Sequence, residues 1–381
     1  MITNNCFNVR SLVLISAVVT GLGLVKPANA QSYLVDLNSR TATRLGTLGG
    51  SFSGAQDIND VGQVVGSSET AEGQGHAFIT GPDGKGMRDL GTLGGRSVAL
   101  SINDAGQVAG YFQTGDKRHA FITGPDGKGM RDLGTLGGSE SSASGINNAG
   151  QVVGGSYTEG DRHFHAFITG PEGKGMRDLL APTGDPAFGT ARSINDAGQV
   201  AGVFSAEGPG HAFITGPDGM GMRDLGASGS SSSDAWDIND AGQVVGQDDG
   251  SHRAFITGPD GIGMRDLGTL GGMFPFNSSE ALGINDAGQV VGRSFATVEG
   301  VPAFHAFVTG PDGTGMMDLN SLVEPPQGLI FWEARAINNA GQIIATTSVR
   351  PIPEPEIPAL FLVGLGLIGF MARRKKAKNP E

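Results

Sequence analysis

The chain has 381 residues, 65 of them glycine, and a formal net charge of −12. Its length allows several domains, and glycine this abundant would mark a collagen or disordered chain if it were aperiodic, but here it recurs at fixed positions and marks turns. The acidic balance argues against a nucleic-acid binder, which needs clustered Lys and Arg for phosphate contacts, and the single cysteine, Cys6, lies in the leader and leaves no disulfide in the mature protein.

Residues 1–30 read as a secretory signal peptide. Arg10 supplies the positive flank, residues 11–25 the mostly apolar core, and Ala28-Asn29-Ala30 a small-x-small cleavage site. The mature chain is expected to start at Gln31. The core is short for a bilayer-spanning helix of about 20 residues, which argues against an uncleaved anchor.

Residues 31–350 are built on one repeated unit. The motif I-N-D-A-G-Q-V recurs with its isoleucine at Ile58, Ile102, Ile146, Ile194, Ile238, Ile284 and Ile337. The companion motif H-A-F-I-T-G-P-D-G recurs with its phenylalanine at Phe78, Phe121, Phe167, Phe213, Phe255 and Phe307. A period of this length is the mark of a propeller, a solenoid or an array. Each unit holds about four short strands. One runs into Ile-Asn, the turn N-D-A-G leads to Q-V-V-G, H-A-F-I-T follows, and G-P-D-G turns into M-R-D-L.

The ends of the array complement each other. Residues 33–50 align without a gap on residues 78–95, so the array opens with a second half that lacks its first half. Residues 336–345, A-I-N-N-A-G-Q-I-I-A, form a first half that lacks its second. Six whole units and two complementary halves predict an all-β, seven-bladed β-propeller closed by pairing of the N- and C-terminal half-repeats, which leaves no open sheet edge at the seam. The alternative is a β-solenoid with capped ends.

The repeated polar residues have local readings. Asp60, Asp104, Asp196, Asp240 and Asp286 lie in D-A-G turns without the alternating oxygens of a calcium loop, and Asn148 and Asn339 stand in two copies. His76, His119, His165, His211 and His305, with Arg253 in the remaining copy, are expected to hydrogen-bond or pack locally within their own repeat rather than share a metal. Arg88-Asp89 and its copies suggest cross-blade ion pairs, although Met317-Asp318 lacks the arginine. A catalytic centre would have to break the repeat. The residues that do so are Asp161, His163, Asp185, Trp236 and Asp248, then Asp249, Glu299, Glu324, Trp332 and Glu333. No nucleophile elbow, zinc-protease, P-loop or dinucleotide motif is present. No catalytic, cofactor-binding or metal residue is therefore expected. Variable links between the second and third strands and between repeats are where loops could bind.

Residues 351–381 are a separate object. P-I-P-E-P-E resists helix, residues 359–372 are apolar without a charge, and Arg373, Arg374, Lys375 and Lys376 follow at once. The apolar run predicts a short helix that inserts transiently in a membrane, with the basic cluster left on the cytoplasmic side.

Two resemblances follow from these motifs. Pro353-Glu354-Pro355, the segment L-V-G-L-G-L-I-G-F and the R-R-K-K end together resemble the PEP-CTERM sorting signal of Gram-negative bacteria. That resemblance implies export across the inner membrane, processing by an exosortase-type enzyme, delivery to the envelope, surface or outside, and association with exopolysaccharide. The repeats, with H-A-F beside I-N-D-x-G-Q-V-x-G, resemble the extracellular HAF-repeat family, which implies a secreted repeat fold and transfers no catalytic residue. The functional expectation is an exported, surface- or matrix-associated, non-catalytic repeat protein, its partners the secretion machinery, the processing enzyme and exopolysaccharide or surface proteins. The alternative is a propeller lyase or hydrolase acting on extracellular polysaccharide, which predicts that several symmetry-breaking residues converge on one mouth of the ring.

Overall fold

The computed structural model describes residues 31–181, 188–205, 208–226, 232–271, 277–298 and 301–350. The signal-peptide residues Ala28 and Ala30, the sorting residues Pro353, Glu354 and Pro355, the apolar run and Arg373 to Lys376 lie outside them, as do Asp185 and Glu299. Among the described residues no helix is long and apolar enough to cross a membrane.

The fold is an all-β propeller. A typical repeat is an antiparallel meander of Ser97–Ile102, Val108–Thr114, Lys117–Ile122 and Arg131–Gly134, paired in that order. The turn after Ile102 is closed by the Gly106 N–H donating to the Asn103 carbonyl at 2.9 Å. Gly106 takes φ +70°, where a side chain would be strained.

The expected count of seven separate blades is corrected. Hydrogen bonding gathers the described strands into five four-stranded sheets and one eight-stranded sheet. The wide sheet forms where the link between two repeats is lengthened. There Phe164–Gly170 pairs in parallel with Phe188–Ile194 through Phe164 and Phe188, whose rings stack at 5.9 Å between centroids. The solenoid alternative also falls. Ser32–Asp36 pairs antiparallel with Gln342–Val349, so the first and last strands share one sheet and the array returns on itself. Gln31 joins this seam, its carbonyl accepting the Thr347 N–H at 3.0 Å.

The core lies between neighbouring repeats. Phe78, Phe121, Phe167, Phe213, Phe255 and Phe307 are all buried, and Phe167 packs with Ala109, Ala120, Ile122, Ala143, Ile146 and Val152. Burying one such ring contributes roughly 1.5–3 kcal/mol. The G-P-D-G turn completes each interface. Gly127 sits at φ +65°, and a Cβ there would meet Leu90 Cδ2 of the preceding repeat at 2.6 Å. Only glycine lets the turn approach its neighbour so closely.

Candidate functional site

The first strand of each repeat lines a common axis, and its residues build four successive levels there. At the first, the asparagines of the I-N motif form a closed relay. Asn59 donates through Nδ2 to the Asn103 carbonyl at 3.0 Å, Asn103 to Asn147 at 2.9 Å, and Asn147 to Asn195 at 3.1 Å. Asn195, Asn239 and Asn285 continue it, and Asn338 returns to the Asn59 carbonyl at 3.0 Å. Each asparagine is held by the glutamine of its own motif, as when Asn59 donates to Gln63 Oε1 at 2.9 Å and accepts the Gln63 N–H at 2.9 Å.

The next residue in each copy forms a second ring. The Asp60 N–H donates to Asp104 Oδ1 at 3.0 Å, and the pattern runs on until the Asn339 N–H donates to Asp60 Oδ1 at 2.8 Å. Asn148 bridges Asp104 and Asp196 through Nδ2, at 3.1 and 2.9 Å. Asn339 bridges Asp60 and Asp286 at 2.8 and 2.7 Å. The two amides thus divide five carboxylates into a pair and a triplet. Partial burial, then the like charges of Asp196 and Asp286, raise the pKa of Asp240 in the middle of the triplet. These groups line an open cavity of about 170 Å³. Among the described residues no group of three or more His, Cys, Asp or Glu is arranged to hold a metal ion.

One residue upstream of each isoleucine lies a layer absent from the sequence expectations. Asp57 accepts from Ser101 Oγ at 2.9 Å and from the Ile102 N–H at 3.0 Å. Asp237 accepts from Ser193 Oγ at 2.7 Å and from the Ile284 N–H at 3.0 Å. Each carboxylate therefore ties one repeat to the next. Burial raises both pKa values, that of Asp237 to about 6, against which its hydrogen bonds work.

Two residues upstream, the symmetry fails. A register shift interrupts the first strand at the same point in each repeat, for instance between Ala191 and Ser193 and between Ala235 and Asp237. A bulge of this kind re-aims a side chain. The bulged residues are Gln56, Leu100, Ser144, Arg192, Trp236, Leu282 and Arg335, and all line one cavity of about 390 Å³ with Glu280, Arg293, Trp332 and Glu333. Arg293 pairs with Glu280 at 2.6 Å and with Glu333 at 3.3 Å, and its guanidinium lies 5.6 Å from the Trp332 ring centre. Arg335 Nε approaches Glu333 Oε1 to 2.7 Å as an ion pair without hydrogen-bond alignment. The Arg192 guanidinium lies over Trp236 at 4.1 Å, with Asp234 4.0 Å away. Burial lowers the pKa of Arg192 and raises that of Asp234, and the attraction between them opposes both shifts.

Trp236, Trp332 and Glu333 are thus brought together from the residues that break the repeat. The other described ones are not part of this cavity. Asp161 accepts the Ser139 N–H at 2.6 Å on a peripheral loop. His163 lies beside His165 with ring centroids 5.7 Å apart. Asp248 lines a different pocket with Arg253, Asp249 bonds Ser232, and Glu324 follows the short helix Leu319–Leu322. Arg192, Arg335, Glu280 and Arg293 were missed. The signal for the bulged residues was present, since one position of an otherwise uniform motif carries Gln, Leu, Ser, Arg, Trp, Leu and Arg in turn.

The repeated histidines stay within their repeats. His76 Nδ1 lies 2.8 Å from Asp89 Oδ2, and His119, His165, His211 and His305 pair likewise at 2.7–2.9 Å with Asp132, Asp178, Asp224 and Asp318. The expected cross-blade ion pairs of Arg88-Asp89 are corrected. The arginine does cross, but to a carbonyl: Arg131 donates to the Glu172 carbonyl at 2.6 Å and Arg177 to that of Asp218 at 2.6 Å. The aspartate is already committed to its histidine.

Residues 351–375 match the PEP-CTERM protein-sorting motif. This motif implies export to the cell envelope or surface in Gram-negative bacteria, and such signals are processed by exosortase. No curated protein matches the chain. Among solved structures, a prolyl endopeptidase is similar at 10% identity with TM-score 0.52, over 80% of this chain and 50% of that one. A protein described as a TolB from Agrobacterium tumefaciens is similar at 11% identity with TM-score 0.48, over 85% and 99%. An oligogalacturonate lyase in complex with manganese is similar at 12% identity with TM-score 0.47, over 85% and 92%. Similarity at these identities concerns the fold alone.

Proposed function

We propose that this exported protein is a non-catalytic, surface- or matrix-associated glycan-binding protein, with its binding site at the asymmetric level of the axis. The observation that carries this reading is the convergence of two tryptophans, three arginines and two glutamates in one cavity of about 390 Å³. Ligand pockets combine apolar walls with a few convergent polar groups. Indole faces suit the apolar face of a sugar ring, and guanidinium and carboxylate groups suit its hydroxyls. The sorting motif supports an exopolysaccharide setting, and the likeness of the repeats to the HAF-repeat family supports secretion.

Binding without chemistry is favoured by the state of the carboxylates. Glu280 and Glu333 are both held by arginines, whereas glycoside hydrolysis needs a pair of carboxyl groups free to flank the scissile bond. The convergence itself favours the second reading, a lyase or hydrolase acting on extracellular polysaccharide. One experiment separates the two. The exported protein is incubated with a panel of bacterial exopolysaccharides while binding and the release of reducing or unsaturated ends are followed in the same tubes. Binding without new ends is the expected result. New ends, lost in Glu333→Gln, would make the protein an enzyme. No binding to any polysaccharide would overturn the glycan reading.

A further inference from the structure

Resting on that reading, we propose that the ligand is an acidic glycan and that Arg192 takes a sugar carboxylate. The three arginines of the cavity are in different states. Arg293 is shared between two glutamates at 2.6 and 3.3 Å, and Arg335 is held by Glu333 at 2.7 Å and reaches Gln56 Oε1 at 3.1 Å. Among the described residues Arg192 has no carboxylate partner as close. Asp234 lies 4.0 Å from its Nη2, and its Nε is a buried donor that bonds nothing among the described residues.

The indole below it is in the same condition, since Trp236 Nε1 is also buried and bonds nothing among the described residues. Buried donors are nearly always satisfied, and each unsatisfied one costs roughly 1–3 kcal/mol. Two of them on stacked side chains, the guanidinium carbon 4.1 Å from the indole ring centre, describe a group held ready for an acceptor. The Arg192 side chain lines the cavity and is 32% exposed although its Nε is buried, which points to the terminal nitrogens as the edge a ligand would reach. A planar carboxylate matches a guanidinium edge through two parallel hydrogen bonds. A small shift of the guanidinium off the indole would let Nε share in that pairing. A neutral hydroxyl could satisfy one donor but would add nothing to the attraction of Asp234 and Glu280, which only partly offsets the burial that disfavours the charge. The position of Arg192 also sets it apart, because the other repeats offer Gln, Leu, Ser, Trp, Leu and Arg335 at the same bulge, and Arg335 is already paired.

The test uses the exported protein with short mannuronate oligomers and with the same oligomers reduced at the carboxyl. Dissociation constants are measured for wild type, Arg192→Gln and Arg192→Lys, with melting curves to show that each variant is folded. Wild type should prefer the acidic oligomers by about tenfold or more. Arg192→Gln should abolish the preference, weakening binding of the acidic oligomers about tenfold more than that of the reduced ones, and Arg192→Lys should retain part of it. Equal binding of acidic and reduced oligomers by wild type would overturn the carboxylate assignment and leave the glycan reading standing. An undiminished preference in folded Arg192→Gln would do the same. Absence of binding to either oligomer and to the wider polysaccharide panel would remove both.

Discussion

The side chain of Asn195 shows how much one residue carries in this fold. Its amide donates to the Asn239 carbonyl at 3.0 Å and to Gln199 Oε1 at 2.8 Å, and its oxygen accepts the Gln199 N–H at 2.9 Å. Asn195→Ala would strand a buried N–H and a buried carbonyl together, and is expected to cost about 2–4 kcal/mol in a denaturant titration. Asp237 acts at the same scale through its proton. Its pKa of about 6 lies above the ordinary 3.8, so between these values the native chain holds more protons than the unfolded one. Its contribution to stability therefore falls as pH rises from about 4 to 6 and is level above. Asp237→Asn should gain on wild type by about 2 kcal/mol between pH 4 and pH 7, a figure reduced from the full shift because Asp237 is only half-buried. Melting temperatures of both proteins across that range would show it, and parallel pH curves would contradict it.

At the scale of the element, the G-P-D-G turn is where one repeat reaches the next. Asp126 and Gly127 both take positive φ, 54° and 65°, and the Gly127 N–H donates to the Gly106 carbonyl at 2.7 Å. Gly127→Ala combines a left-handed backbone with a Cβ 2.6 Å from Leu90. It should destabilise by about 1–3 kcal/mol. Gly129→Ala, also at positive φ but with nothing within 4 Å, should cost less, which separates the clash from the backbone strain in a thermal melt. The regular pattern of turns was readable from G-P-D-G and N-D-A-G. The bulge was not read from the sequence, although its mark is there: the shift follows Ala55, Ala99, Ala143, Ala191 and Ala235 alike, and the bulged position after each is the variable one.

The whole molecule depends on the pairing of its two ends. Ser32–Asp36 lies between Thr41–Arg44 and Gln342–Val349, and Arg335 reaches across the seam to Gln56 at 3.1 Å. Removing residues 31–36 would expose the edge of Gln342–Val349 and strip Val35 from a core it shares with Phe331 and Ile343. Exposed edges pair with other chains. The truncated protein is expected to melt less cooperatively and to aggregate, as followed by calorimetry and light scattering.

The repeat by itself determined the all-β class, the turn positions and the phenylalanine core, because glycine at fixed turn positions and a period of 44–53 residues leave few other solutions. It also determined the sorting motif, which is read linearly and needs no fold. The grouping of strands into six sheets was decided by tertiary structure, since a single Phe164–Phe188 contact across a lengthened link merges two repeats into one sheet. The site was decided there too. Arg192, Trp236, Glu280, Arg293, Trp332 and Glu333 span 142 positions of sequence, and only ring closure and the bulge in each first strand aim them at one cavity. Convergence on an axis is a property of the closed ring, and no stretch of the chain contains it.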